Sequence, residues 1–85
     1  MYNDESMKVD IISLKGTQYS GDVKSINAKT ESGEITVLDH HLPLITVLTK
    51  GQLVVTDASG KETVIHTESG FLEVKDGNQA VALIS

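Results

Sequence analysis

The 85-residue chain carries twelve acidic side chains against seven lysines, a formal net charge of −5, with 39% hydrophobic residues, one proline and no cysteine. A chain this short buries only roughly two-thirds of its unfolded surface, which argues against an enzyme built around a large internal cleft. The absence of arginine and of any basic stripe argues against nucleic acid as a partner, and the absence of cysteine excludes disulfides, thiolate metal ligands and a thiol nucleophile.

The opening MYNDES is polar and acidic. It does not read as a secretory signal, and residues 1–6 are expected to fray. Segments of strand length follow, rich in valine, isoleucine and threonine, which pack well on a pleated surface and are stiff in a helix. They are Lys8–Leu14, Thr17–Tyr19, Asp22–Ala28, Glu34–Leu38, Leu44–Leu48, Gln52–Asp57, Lys61–Thr67, Phe71–Lys75 and Gln79–Ile84. Alternation supports several: Val9 shares a face with Ile11, Leu53 with Val55 and Leu72 with Val74, while Val81 and Leu83 oppose Ala80, Ala82 and Ile84.

Between these segments stand the glycines. Four of the seven follow a serine, at Ser20-Gly21, Ser32-Gly33, Ser59-Gly60 and Ser69-Gly70, and each pair reads as a turn. Two hairpins are well marked, one through Asp57-Ala58-Ser59-Gly60 and one through Asp76-Gly77-Asn78. No stretch carries a sustained 3.6-residue apolar period, so no substantial helix is expected, and no apolar run approaches the about 20 residues of a bilayer-spanning helix. Short strands separated by polar turns predict one all-β domain over residues 1–85, an antiparallel sandwich or barrel.

Chemistry is sparse. Asp39-His40-His41, with His66 elsewhere, is the cluster most like a metal or ligand site. Adjacent residues on an extended strand point to opposite faces, so His40 and His41 would converge on one ion only within a turn. The sequence has no Gly-x-Ser-x-Gly elbow and no Gly-Lys-Ser/Thr phosphate loop. Glu31 and Glu34 flank a Ser-Gly turn, where carboxylates are normally solvated. No catalytic residue, metal site or cofactor is assigned, and function is expected to lie in a surface.

One resemblance spans roughly residues 7 to 84. Gly33-Glu34-Ile35, Val37-Leu38, His41, Pro43-Leu44-Ile45-Thr46, Gly51 and Gly70-Phe71-Leu72-Glu73-Val74 resemble, in order and spacing, the N-terminal domain of the ε subunit of F-type ATP synthases. That family reads E-G-E-(F/L/I)-G-(V/I), then P-G-H-A-P-L-L-T, then K-P-G, then G-G-(F/I)-L-E-V. Val9-Asp10-Ile11-Ile12-Ser13 is similar to its first strand. The departures are Thr36 for the second glycine of the acidic turn, Asp39-His40 for proline-glycine, Leu42 for alanine, Lys50 for proline and Ser69 for the first glycine of the later pair.

The resemblance implies a ten-stranded antiparallel β-sandwich and a non-catalytic rotor part of the central stalk. Such a part packs on the γ subunit and rests on the polar loops of the c-ring, coupling ion-driven rotation to ATP synthesis. Glu34, with Glu31, would face the c-ring; Ser13, His41 and Thr46 would lie at or beside the γ contact; Pro43 would fix the start of the next strand. The implied location is peripheral, on the cytoplasmic face of the inner or plasma membrane, without insertion, and the isolated domain is expected to be monomeric. Most members carry a C-terminal helical hairpin that blocks hydrolysis and in some species binds ATP; with no counterpart in this sequence, that task is not expected of it. The second reading is a free-standing β-sandwich that binds a small ligand or metal through Asp39, His40, His41 and His66.

Overall fold

In the computed structural model, which describes residues 6–85, nine strands follow one another: β1 (Met7–Ser13), β2 (Gly16–Val23), β3 (Ser25–Thr30), β4 (Gly33–Leu38), β5 (Leu44–Leu48), β6 (Gly51–Thr56), β7 (Glu62–Thr67), β8 (Gly70–Lys75) and β9 (Gln79–Ile84). Among the described residues the count is therefore nine, not the ten implied by the resemblance. The fraying expected of residues 1–5 lies outside the described residues, while the Ser6 carbonyl accepts a bond from Asn78 Nδ2 at 2.6 Å.

One expected turn is not a turn. Ser20-Gly21 runs through β2 in register with Asp10 and Val9, and the Tyr19 ring lies over Gly21, an aromatic cover that lets a strand keep a glycine. The break comes instead at Lys24, whose N–H donates to the Thr56 carbonyl at 2.8 Å. The short Thr17–Tyr19 segment is thus part of an eight-residue strand, and the next strand starts at Ser25 rather than Asp22.

The strands bond in the order β2-β1-β9-β8-β5-β3-β6-β7, with β4 on the free side of β3. All pairings are antiparallel except β1 with β9. That exception needs no tight turn, because the two partners come from opposite ends of the sequence and the rest of the chain forms their connection. The sheet folds on itself where β5 meets β3 through one registered pair, Thr30 with Leu48. Two layers result, β2-β1-β9-β8-β5 and β4-β3-β6-β7.

Alternate residues of both layers form one core. Met7, Val9 and Ile11 of β1, Ile26 and Ala28 of β3, Leu53 and Val55 of β6, and Leu72 and Val74 of β8 are buried together, as the period-2 pattern requires. On β9 the inward face carries Ala80, Ala82 and Ile84, all buried, whereas Leu83 on the outer face is 54% exposed. Close approach explains Gly70. A Cβ there would run into the Leu83 carbonyl oxygen and sit 3.0 Å from Ile84 Cα, so only glycine lets β8 leave the bend beside β9.

Candidate functional site

Strand directions sort every connection to one of two ends. The β1–β2 turn, the β3–β4 turn, the β5–β6 link and the β7–β8 bend share one end; Lys24, the β4–β5 loop, the β6–β7 hairpin and the β8–β9 turn share the other. Strands of about six residues put the ends about 20 Å apart.

The acidic turn belongs to the first end. Glu31 and Ser32 form it, and Gly33 takes φ 116°, a conformation that favours glycine. Thr30, only 6% exposed, holds the turn from beneath: its Oγ1 donates to the Gly33 carbonyl at 2.7 Å and accepts from the Ser32 N–H at 3.1 Å. Glu34 lies just past the turn, paired across the ladder with Lys29. Glu31 and Glu34 are both exposed. Buried Thr67 clips the same end, its hydroxyl 3.4 Å from the Thr49 and Gly51 carbonyls.

The histidine loop belongs to the other end. His40 takes φ 62°, and its N–H donates to Asn78 Oδ1 at 2.6 Å. Its ring Nδ1 faces Asp39 Oδ2 at 2.9 Å, and His41 Nδ1 donates to the Leu42 carbonyl at 2.6 Å. Pro43 directly precedes β5, as expected. The loop borders an open cleft whose lining includes His40, His41, Pro43, Lys8, Lys75 and Asp76.

The expected residues therefore do not form one cluster. Ser13 closes β1 at the end that carries Glu31 and Glu34, and His41 lies at the opposite end. Thr46 sits mid-strand opposite Leu72, half-buried on the side of β5 that carries Leu48 toward the core. His66, exposed on β7 opposite Gln52, is at the Ser13 end. It is thus separated from Asp39, His40 and His41 by the length of the sandwich, which removes the four-residue ligand set of the second reading. Among the described residues no group of three or more His, Cys, Asp or Glu is placed to hold a metal ion.

The outer faces of the two layers also differ. Across β5, β8, β9 and β1 the register aligns Val47, Phe71, Leu83 and Ile12 in one row, with Ile45, Glu73, Val81 and Asp10 in the next. On the other layer the central row is Thr36, Asn27, Val54 and Val64, and the row beside it Leu38, Ser25, Thr56 and Glu62. Among the described residues no helix is long and apolar enough to cross a membrane.

The arrangement is that of an all-β sandwich whose polar groups stand on short turns, rigidly held by the sheets behind them. Residues 6–83 match the family model described as ATP synthase, Delta/Epsilon chain, beta-sandwich domain, and the chain belongs to that family. It is 40% identical over 68 residues to the ATP synthase epsilon chain of Dichelobacter nodosus, covering 80% of this chain and 48% of the relative. With the epsilon chain of Acinetobacter baylyi it shares 37% over 70 residues, 82% of this chain and 50% of the relative. The chain thus spans about half the length of these curated relatives. In solved structures the fold superposes on a chain of the Euglena gracilis mitochondrial ATP synthase, OSCP/F1/c-ring, with a TM-score of 0.88 at 21% identity, covering 99% of this chain and 52% of that one. A chain of the Tetrahymena thermophila mitochondrial ATP synthase central stalk/c-ring gives 0.77 at 16%, with 98% and 66% covered.

Proposed function

We propose that this domain is the sandwich part of a central-stalk rotor subunit of an F-type ATP synthase, a non-catalytic component that binds γ and rests on the c-ring. The observation that carries this reading is the family match over residues 6–83, together with relatives named as epsilon chains. Its work is mechanical. Torque from ion flow through the ring passes to the catalytic head only if the part between them is stiff, and two layers sharing one core supply that stiffness. The subunit sits peripherally on the cytoplasmic face of the inner or plasma membrane.

Glu31 and Glu34 are assigned to the c-ring, in support of which both are exposed on a turn that Thr30 clips in place. Ser13, Thr46 and His41 are assigned to γ. A contact that includes all three runs along the sandwich rather than across one tip, since Ser13 and His41 lie at opposite ends.

The test is reconstitution. Mixed with its cognate γ subunit, the chain should co-elute as a one-to-one complex, and absence of association at micromolar concentration overturns the reading. Glu34→Lys should weaken coupling to the ring more than binding to γ; equal loss of both overturns the facing assigned to the acidic turn.

A further inference from the structure

Among the described residues three strands leave a free side: β2 and β7 at the ends of the bonding order, and β4 beside β3. Such a side is a row of unpaired N–H and C=O groups that a further strand can take up. Two of the three are guarded. The β1–β2 register shifts between Ile11 and Ile12 and leaves Gln18 without a partner, and a bulge of this kind twists an edge out of line. On β4 the Leu38 carbonyl accepts the His41 N–H at 3.2 Å, so the β4–β5 loop folds over the end of that strand. β7 has neither device. Its register with β6 runs from Glu62 to Thr67 without a shift, and it holds no proline, glycine or lysine.

The hairpin fixes which groups point outward. The Asp57 N–H donates to the Lys61 carbonyl at 3.0 Å, so the backbone of Lys61 faces β6. Backbone groups alternate along a strand; Thr63, Ile65 and Thr67 therefore face β6 as well, and Glu62, Val64 and His66 present theirs to the free side. Among the described residues no turn or loop bonds to these three backbones. Their side chains are exposed, Val64 by 53%.

The set is complementary to itself. With a two-fold axis at Val64, a second β7 runs antiparallel and sets Val64 against its own copy, Glu62 against the partner's His66 and His66 against the partner's Glu62. Each of the three then exchanges both of its backbone bonds with the residue opposite. An imidazole N–H can donate to the Glu62 carboxylate. Val54, which lies opposite Val64 on β6, extends the apolar row on both sides of the junction. Lys61 falls opposite the partner's Thr67, so no like charges stand directly opposed, the arrangement that destabilises a strand pair. The net charge of −5 on each copy opposes association, but beyond about 8 Å it is largely screened at physiological salt.

We infer that the free chain pairs with a second copy through the β7 edge, antiparallel about Val64, so that the β4-β3-β6-β7 layers of two molecules join into one continuous sheet. This goes beyond the stalk function proposed above and does not depend on it. A single strand edge buries less than the about 1,200 Å² of a standard stable interface, so the dimer is weak and dissociates at the micromolar concentrations of a γ titration. The monomer expected of the isolated domain is its dilute state.

The experiment is sedimentation equilibrium of the wild-type chain and of Val64→Lys, Val64→Glu and Ile45→Lys, each first shown to unfold in urea at the wild-type midpoint or close to it. Ile45, 71% exposed on the outer face of the other layer, is the control. The wild type is expected to dimerise with a Kd on the order of 100 μM. Val64→Lys and Val64→Glu should each weaken this by roughly tenfold or more, because two like charges then meet across the axis, while Ile45→Lys leaves the Kd close to that of the wild type. An equimolar mixture of the two position-64 variants should dimerise again, since opposite charges now face each other. A wild type that stays monomeric up to about 1 mM, roughly ten times the expected Kd, overturns the inference. Self-association that survives Val64→Lys, or that Ile45→Lys weakens equally, also overturns it by moving the contact off the β7 edge. A mixture that stays monomeric overturns the register about Val64.

Discussion

Asn78 and His40, 38 positions apart, hold each other at one end of the sandwich: the His40 N–H donates to Asn78 Oδ1 at 2.6 Å, and both residues take φ 62°. The Asn78 amide also donates to the Ser6 carbonyl at 2.6 Å, and its own carbonyl accepts the Lys8 N–H at 3.0 Å. One side chain therefore ties the β4–β5 loop, the β8–β9 turn and the approach to β1. Asparagine suits this position because it tolerates the left-handed conformation.

Asn78→Ala should cost about 2–3 kcal/mol, roughly 1 kcal/mol for each lost bond and about another for a Cβ residue in the left-handed region without the asparagine's tolerance. Asn78→Gly keeps the backbone at ease and loses only the bonds, so about 1–2 kcal/mol. Urea unfolding checks the order; equal losses in the two variants would remove the conformational contribution.

Gly70→Ala tests close approach rather than a lost contact. The added methyl meets backbone atoms of Leu83 and Ile84 rather than a side chain that can swing away, so β8 and β9 must part. A loss of about 3 kcal/mol or more is expected, with amide protection falling first along Gly70–Phe71. A variant within about 1 kcal/mol of wild type would show that the bend relaxes freely.

Asp57 gives the protein a pH-dependent hairpin. Its Oδ1 accepts from the Ser59 hydroxyl at 2.6 Å, the Ser59 N–H at 2.9 Å and the Lys61 N–H at 3.0 Å. The Ser59 hydroxyl bond is the largest cause holding its pKa below the usual 3.8, followed by the Lys61 N–H. A depressed folded-state pKa favours the native state above the unfolded value and loses that contribution as pH falls through the folded one. Asp57→Ala should therefore be less stable than wild type at pH 7, with the difference closing below about pH 4. A difference that persists unchanged at pH 2 contradicts the assignment, as would an NMR titration midpoint for Asp57 at or above 3.8.

Much of the sandwich was legible because period-2 patterning is a direct consequence of strand geometry. Leu53 with Val55 and Leu72 with Val74 share faces as the alternation implies, and the structure turns those faces inward; both hairpins form, with Leu53 opposite Ile65 and Val74 opposite Ala80. Ser20-Gly21 departs from expectation for a local reason: its composition is that of a turn, but its cross-strand partners Asp10 and Val9 keep β2 extended. Which face of β9 enters the core was not legible, since both of its faces are apolar: Ala80, Ala82 and Ile84 enter the core, while Val81 and Leu83 face outward. The parallel β1–β9 pairing leaves no mark in a local pattern.

The site was less legible. Nothing in single positions distinguishes Thr30 or Asn78 from other polar residues, because their roles come from neighbours across the fold. His40 carried a signal, since it stands where the family pattern has glycine, and its φ of 62° is a conformation that suits glycine. The outer apolar row also carried one. The adjacent pairs Ile11-Ile12, Val47-Leu48, Phe71-Leu72 and Leu83-Ile84 each put an apolar side chain on both faces, and only the register shows that the outer members meet.

Thr30 links the stability of the sandwich to the presentation of its acidic turn. Its hydroxyl both gives and takes a hydrogen bond, so Thr30→Val, nearly the same shape, removes both while keeping the buried methyl. Water can reach the exposed turn and recover part of the loss, which puts the cost at about 1–2 kcal/mol. Thr30→Ser keeps both bonds and gives up one methyl, about 1 kcal/mol by the same kind of reasoning. The two variants separate in hydrogen exchange more than in stability. With valine the Ser32 N–H loses its acceptor and should exchange at least tenfold faster relative to the global unfolding rate, whereas serine should leave it protected. If valine and serine leave Ser32 equally protected, the clip is not what holds the turn. Glu31 and Glu34 would then owe their placement to the β3–β4 ladder alone, where Lys29 stands opposite Glu34.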